Sequence, residues 1–167
     1  MRMLAAIALS TLVLLPAFAK ERLSRFAPAL NAKPGTVVEQ APPLHVGTTQ
    51  VRIVRYEIDR PYGVHMGCAL IVGDDQVVPF IGTGDMEASS CQSVEGVGVF
   101  DHAEERVLAV QTFTRTPNAS GSGVSVFAFE AGGTPKEIVE GDLVGRIIDG
   151  GIETLDQLGR MMAAERD

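Results

Sequence analysis

The chain has 167 residues, 46% of them hydrophobic, a formal charge of −7, no tryptophan and two tyrosines. A negative balance argues against nucleic acid or an anionic lipid surface as partner and favours a basic one. So few aromatic rings leave little surface on which bases could stack.

The first element is a leader. MRMLAAIALSTLVLLPAFAKER carries a positive Arg2, an apolar run over 4–15, a break at Pro16 and the small-x-small pattern Ala17-Phe18-Ala19. These are the parts of a secretory signal peptide, and the apolar run is shorter than the roughly 20 residues a membrane span needs. Residues 1–19 are therefore expected to be removed after Ala19, which leaves 148 residues free of the membrane. Loss of Arg2 with the leader takes the formal charge to −8. The remaining length suits one domain with its own core.

Residues 20–47 contain Pro28, Pro34, Pro42 and Pro43 together with Gly35 and Gly47. An extended or partly disordered arm is expected there. From residue 48 the pattern changes to short runs rich in Val, Ile, Phe and Thr, separated by turn residues. These predict strands at 50–58, 64–72, 76–82, 91–100, 106–114 and 124–130, with a weaker seventh at 136–140. The connections are too short for the crossovers that parallel strands require. The expected fold is thus mainly β (α+β): an antiparallel β meander of six to seven strands, curled into a barrel or sandwich, with a C-terminal helical segment packed on it. Residues 48–167 form that single domain. Pro79 cannot donate to a ladder, so its strand is expected at an edge or with a bulge.

In DLVGRIIDGG, Leu143, Val144, Ile147 and Ile148 recur at helical spacing, with a strand as the alternative over 142–149. Thr154 and Gln157 then stand at capping-box spacing. Leu155, Leu158, Met161 and Met162 make one apolar stripe, read as core filler.

The stretch HMGC, 65–68, holds one of three histidines and one of two cysteines. On a strand, residues an odd number of positions apart face opposite ways, so His65 and Cys68 cannot serve one metal or one catalytic pair. A structural zinc site would also need locally paired ligands that neither Cys91 nor His102 supplies. Cys68 lies among apolar neighbours, which oppose a lowered thiol pKa. In an exported chain with two cysteines, a Cys68–Cys91 disulfide is the expectation. Closing a loop of that length would stabilise by on the order of 3 kcal/mol in the chain-entropy picture.

Other chemical signals are thin. The acidic pairs Asp74-Asp75, Asp85 with Glu87, and Glu104-Glu105 read as solvated turns, since glycosidic catalysis needs two carboxyls facing across a cleft. The 83–90 loop lacks the twelve-residue calcium frame. No G-x-S-x-G elbow frames a serine, and IGTGD has no P-loop lysine. No catalytic set, metal or cofactor is expected.

An export signal, a stapled β domain, an acidic surface and no assembled catalytic group together resemble the format of periplasmic immunity proteins and lysozyme inhibitors. That resemblance implies a periplasmic protein that neutralises a protein partner, a toxin or wall hydrolase, many of which are basic. The candidate contact is the acidic loop following the third strand, with Thr83, Asp85, Met86, Glu87, Ser89 and Ser90. Two alternatives stand beside it: a hydrolase using His65 or His102, and an envelope subunit that pairs through an edge strand.

Overall fold

Among the described residues the chain forms nine antiparallel strands in two sheets, seven at the expected apolar runs and two short ones in the segment before them. The computed structural model describes residues 23–61, 63–82, 89–102, 105–129, 135–139 and 141–164. The leader at 1–19 lies outside them. The strands are β1 (Val38–Glu39), β2 (Leu44–Val46), β3 (Thr49–Arg60), β4 (Gly63–Val72), β5 (Gln76–Ile81), β6 (Ser90–His102), β7 (Glu105–Arg115), β8 (Ser120–Ala128) and β9 (Lys136–Glu137). Two helices follow, α1 (Asp142–Asp149) and α2 (Leu155–Ala163). One sheet has the order β1-β3-β4-β5 with β2 also on β3, and the other runs β6-β7-β8-β9. Each is a meander, and the chain passes from the first to the second between β5 and β6. The barrel alternative falls away: neither sheet closes on itself. The seventh predicted strand shortens to the two residues of β9, and 142–149 is helix.

Four layers result. The inner faces of the two sheets meet through Val51, Ile53, Cys68, Leu70 and Val72 on one side and Cys91, Leu108, Val110 and Phe127 on the other. The outer face of the first sheet buries Val54, Tyr56, Ala69 and Ile71 beneath Leu23, Phe26, Leu30 and Val37. The outer face of the second buries Val107, Ala109 and Val126 beneath Leu143, Ile147, Leu158 and Met162. Strands covered on both faces have no need of polar alternation, which is why Cys68 to Val72 and Val107 to Val110 read as unbroken apolar runs.

The segment 23–47 is folded onto the first sheet. Leu23, Phe26, Ala27 and Leu30 stand at i, i+3, i+4 and i+7, and a run of tight turns closes through bonds such as Phe26 N to Leu23 O at 3.0 Å and Ala32 N to Ala27 O at 2.9 Å. That spacing puts all four side chains on one buried side. β1 and β2 then add to the free side of β3.

Pro79 sits as its chemistry demands. β5 is the edge of its sheet, and the β4–β5 register slips at Phe80, between the pairs Cys68–Ile81 and Ala69–Pro79. Helix α2 starts with the reciprocal capping box, Gln157 N to Thr154 Oγ1 at 3.3 Å and Thr154 N to Gln157 Oε1 at 3.0 Å.

Gly67 marks a close approach on the outer face of the first sheet. A Cβ there would fall 2.4 Å from Tyr56 Cζ, and the Tyr56 ring is 1% exposed. Gly67→Ala is expected to destabilise by about 1–3 kcal/mol through overpacking. The midpoint of urea unfolding measures it, and an unchanged midpoint would show that Tyr56 moves aside freely.

Candidate functional site

The period-two backbone of β4 settles the geometry of HMGC. Cys68 points inward, fully buried, and bonds to Cys91 of β6 with the two Cα atoms 5.8 Å apart. The bridge joins the two sheets. Such a bond belongs to an oxidising compartment outside the cytoplasm. His65 faces the other way from Cys68, and its Nε2 lies 2.6 Å from the carbonyl oxygen of Ser89, which fixes Nε2 as the protonated, donating nitrogen.

That contact is one of several at the base of 83–88. On the incoming side, Arg60 Nη2 donates to Gly82 O at 2.7 Å. Gly82 has φ 76°, and a Cβ there would stand 3.1 Å from Gly67 Cα and Met66 O, so glycine alone brings the end of β5 this near to β4. On the outgoing side, Met66 N donates to Ser90 Oγ at 3.2 Å, and Gln92 Nε2 donates to the same hydroxyl at 3.1 Å. Arg55 Nη1 donates to Gln92 O. The disulfide follows directly. Both ends of the segment are thus fastened to β3 and β4 by side chains from four separate positions.

Of the residues singled out in the sequence, Ser89 and Ser90 lie at this base, each engaged through the bonds just named. Thr83, Asp85, Met86 and Glu87 lie outside the described residues. Beside Gly82 opens a cleft of about 630 Å³, lined among others by Asn31, Tyr56, Asp59, Arg60 and Pro79. It lies between the turns of 23–31 and the β3–β4 hairpin.

His102 ends β6 opposite Glu105, and its neighbour Asp101 faces Arg106 and pairs with it at 3.5 Å, both side chains well exposed. His65 and His102 sit on different sheets. Asp74 is held by Arg25, whose Nη2 donates to the Asp74 carbonyl at 2.5 Å. Among the described residues no three His, Cys, Asp or Glu side chains gather as a metal ion would require, and no helix is long and apolar enough to cross a membrane.

One polar constellation escaped the sequence reading. Glu95 Oε2 accepts from Ser122 Oγ at 2.7 Å and from Gln111 Nε2 at 2.9 Å, while Gln111 Oε1 accepts from Leu155 N at 3.0 Å. The Ser122 hydroxyl first, then the Gln111 amide, lower the Glu95 pKa from its ordinary value, so it stays a carboxylate. Glu95 reaches both because it is the extra residue of a bulge: Val94 pairs with Thr112 and Gly96 with Gln111. A bulge re-aims a side chain, and nothing in VEGVG announces it.

No family model matches the chain, and neither a curated protein nor a solved structure does.

Proposed function

We propose that the protein is exported to the periplasm, cleaved after Ala19, and there neutralises a protein partner through the segment 83–90. Immunity against an antibacterial effector and inhibition of a cell-wall hydrolase are the two forms of that role. One observation carries the reading: both ends of 83–88 are pinned, by Arg60 on Gly82, by His65 on Ser89 and by the Cys68–Cys91 bridge behind them. An element fixed at both ends loses less conformational freedom on docking, so more of its contact energy appears as affinity. The formal −7 charge, with Asp85 and Glu87 inside the segment, would steer a basic partner toward it.

The test starts from the exported products encoded beside this chain, each assayed for binding by biolayer interferometry. A partner should bind at physiological salt, and Asp85→Lys with Glu87→Lys should slow its association about tenfold at low salt. Unchanged kinetics would remove the segment from the interface. Failure of every neighbouring product to bind would remove the immunity reading.

A further inference from the structure

The negative charge of the chain is unevenly placed. Residues 20–92 hold eight Asp or Glu against seven Lys or Arg, whereas residues 93–167 hold thirteen against six. The imbalance is steepest over 137–156, which has six carboxylates and one cation, Arg146. That guanidinium lies 3.1 Å from the Asp142 carboxylate, one turn before it on α1. A basic partner would be drawn to this part of the molecule, built by the end of β9, α1 and the start of α2.

At its centre the apolar side of α1 is only partly covered. Leu143 and Ile147 are buried on the second sheet, and Val144 packs beside them half-buried. At about 3.6 residues per turn, the positions that follow around the helix are Ile148, Gly141 and Gly145. Ile148 is 71% exposed, more than any other large aliphatic side chain among the described residues. A Cβ added at Gly141 or Gly145 would meet nothing within 4 Å. The apolar arc thus runs past the core into open space, and the charged residues Asp142, Arg146 and Asp149 share the rest of the circumference.

The helix is also weakly fixed. It has eight residues and no side-chain cap, and it starts from Gly141 at φ 105°, whereas α2 has its full capping box. So short a helix takes its stability from the surfaces it packs on, and a second surface would hold it further. The two glycines, one turn apart, leave a notch that lets the backbone of another helix come close. Acids frame the open arc. Asp149 adjoins Ile148, and Ile152 N donates to Ile147 O at 2.9 Å, which keeps Glu153 at the same end of α1. Both carboxylates are exposed. An apolar centre inside a charged rim is the make-up of a protein contact.

We infer that the outward arc of α1 docks an amphipathic helix of a basic protein, with apolar side chains on Val144 and Ile148 and lysine or arginine on Asp149 and Glu153. Charge selects this occupant. A second copy would bring its own carboxylates to the seam in whichever register the helices met, because acids stand at both ends of the arc, Asp142 at one and Asp149 at the other. An anionic lipid surface would be repelled in the same way. The arc is separate from the segment 83–90, and the inference stands without that segment.

The test uses the purified protein with its disulfide formed, labelled with nitrogen-15, and a helical peptide with leucine and alanine on one face and lysines flanking it. Backbone amides of 141–153 should shift as peptide is added, while those of the first sheet stay still. Ile148→Asp, at an exposed position that leaves the urea midpoint unchanged, should weaken the peptide at least tenfold, the yield of burying one large aliphatic side chain. Asp149→Asn with Glu153→Gln should weaken it about fivefold at low salt, and leave an analogue with glutamine for lysine unchanged. Equal binding to the Ile148→Asp protein, equal binding by an analogue with glutamate for lysine, or shifts centred outside 141–153 would overturn the proposal. So would shifts of these amides with protein concentration alone, which would give the arc to a second copy, or with phosphatidylcholine vesicles in place of peptide, which would give it to a membrane.

Discussion

Replacing Cys68 and Cys91 together by alanine is expected to lower the free energy of unfolding by about 3–5 kcal/mol. The bridge spans 23 positions, and both sulfurs are fully buried. In the chain-entropy picture, loss of a crosslink of that span restores roughly 3 kcal/mol of freedom to the unfolded chain. The vacated sulfur volumes add a smaller cavity cost on the inner faces. Alanine is the informative replacement, because serine would bury hydroxyls among Leu70, Leu108 and Phe127 and confound the reading. Guanidinium unfolding of the two proteins, fitted for midpoint and slope, measures the difference. A loss below about 1 kcal/mol would mean that the inter-sheet packing alone sets the spacing of β4 and β6.

Phe127→Ala should cost about as much, 3–5 kcal/mol, by a different route. Its ring is fully buried on the inner face of the second sheet and meets the Phe80 ring of the first edge to face, centroids 5.2 Å apart and planes at 76°. Removing it leaves a void bounded by strands of both sheets, neither of which can collapse without disturbing its own ladder. Part of the loss belongs to the pair itself, about 0.5–1.5 kcal/mol beyond area. A double-mutant cycle with Phe80→Leu and Phe127→Leu isolates that part in urea unfolding. Coupling near zero would show that the two rings contribute area only. Typical domains are stable by only about 5–15 kcal/mol, so Phe127→Ala in the bridge-free protein should leave little folded population at all.

The architecture was legible where the chain speaks locally. The β3, β4, β6 and β7 strands run close to their predicted spans, Pro79 is both at an edge and beside a bulge, and Thr154 with Gln157 caps α2. The face argument at 65–68 needed only the pleat. What stayed hidden depends on partners distant in sequence. Strand patterns do not say where one sheet stops and the next begins, because β5 and β6 obey the same alternation on either side of the crossing. The turns at 23–31 were masked by proline count, although Leu23, Phe26, Ala27 and Leu30 carry a helical period that a shorter window would have caught. Arg60 on Gly82 and His65 on Ser89 each join positions more than twenty residues apart. The Glu95 bulge is a mismatch of two strands, and neither strand alone contains it.

The strand-to-strand crossing between the sheets and the sulfur bridge enclose the same stretch of chain. Hydrolysis of any peptide bond from 83 to 88 would therefore produce two pieces, one owning each sheet, still tethered covalently at Cys68 and Cys91. A protease attacking there opens a ring and releases nothing, and the two halves part company only when a reductant arrives.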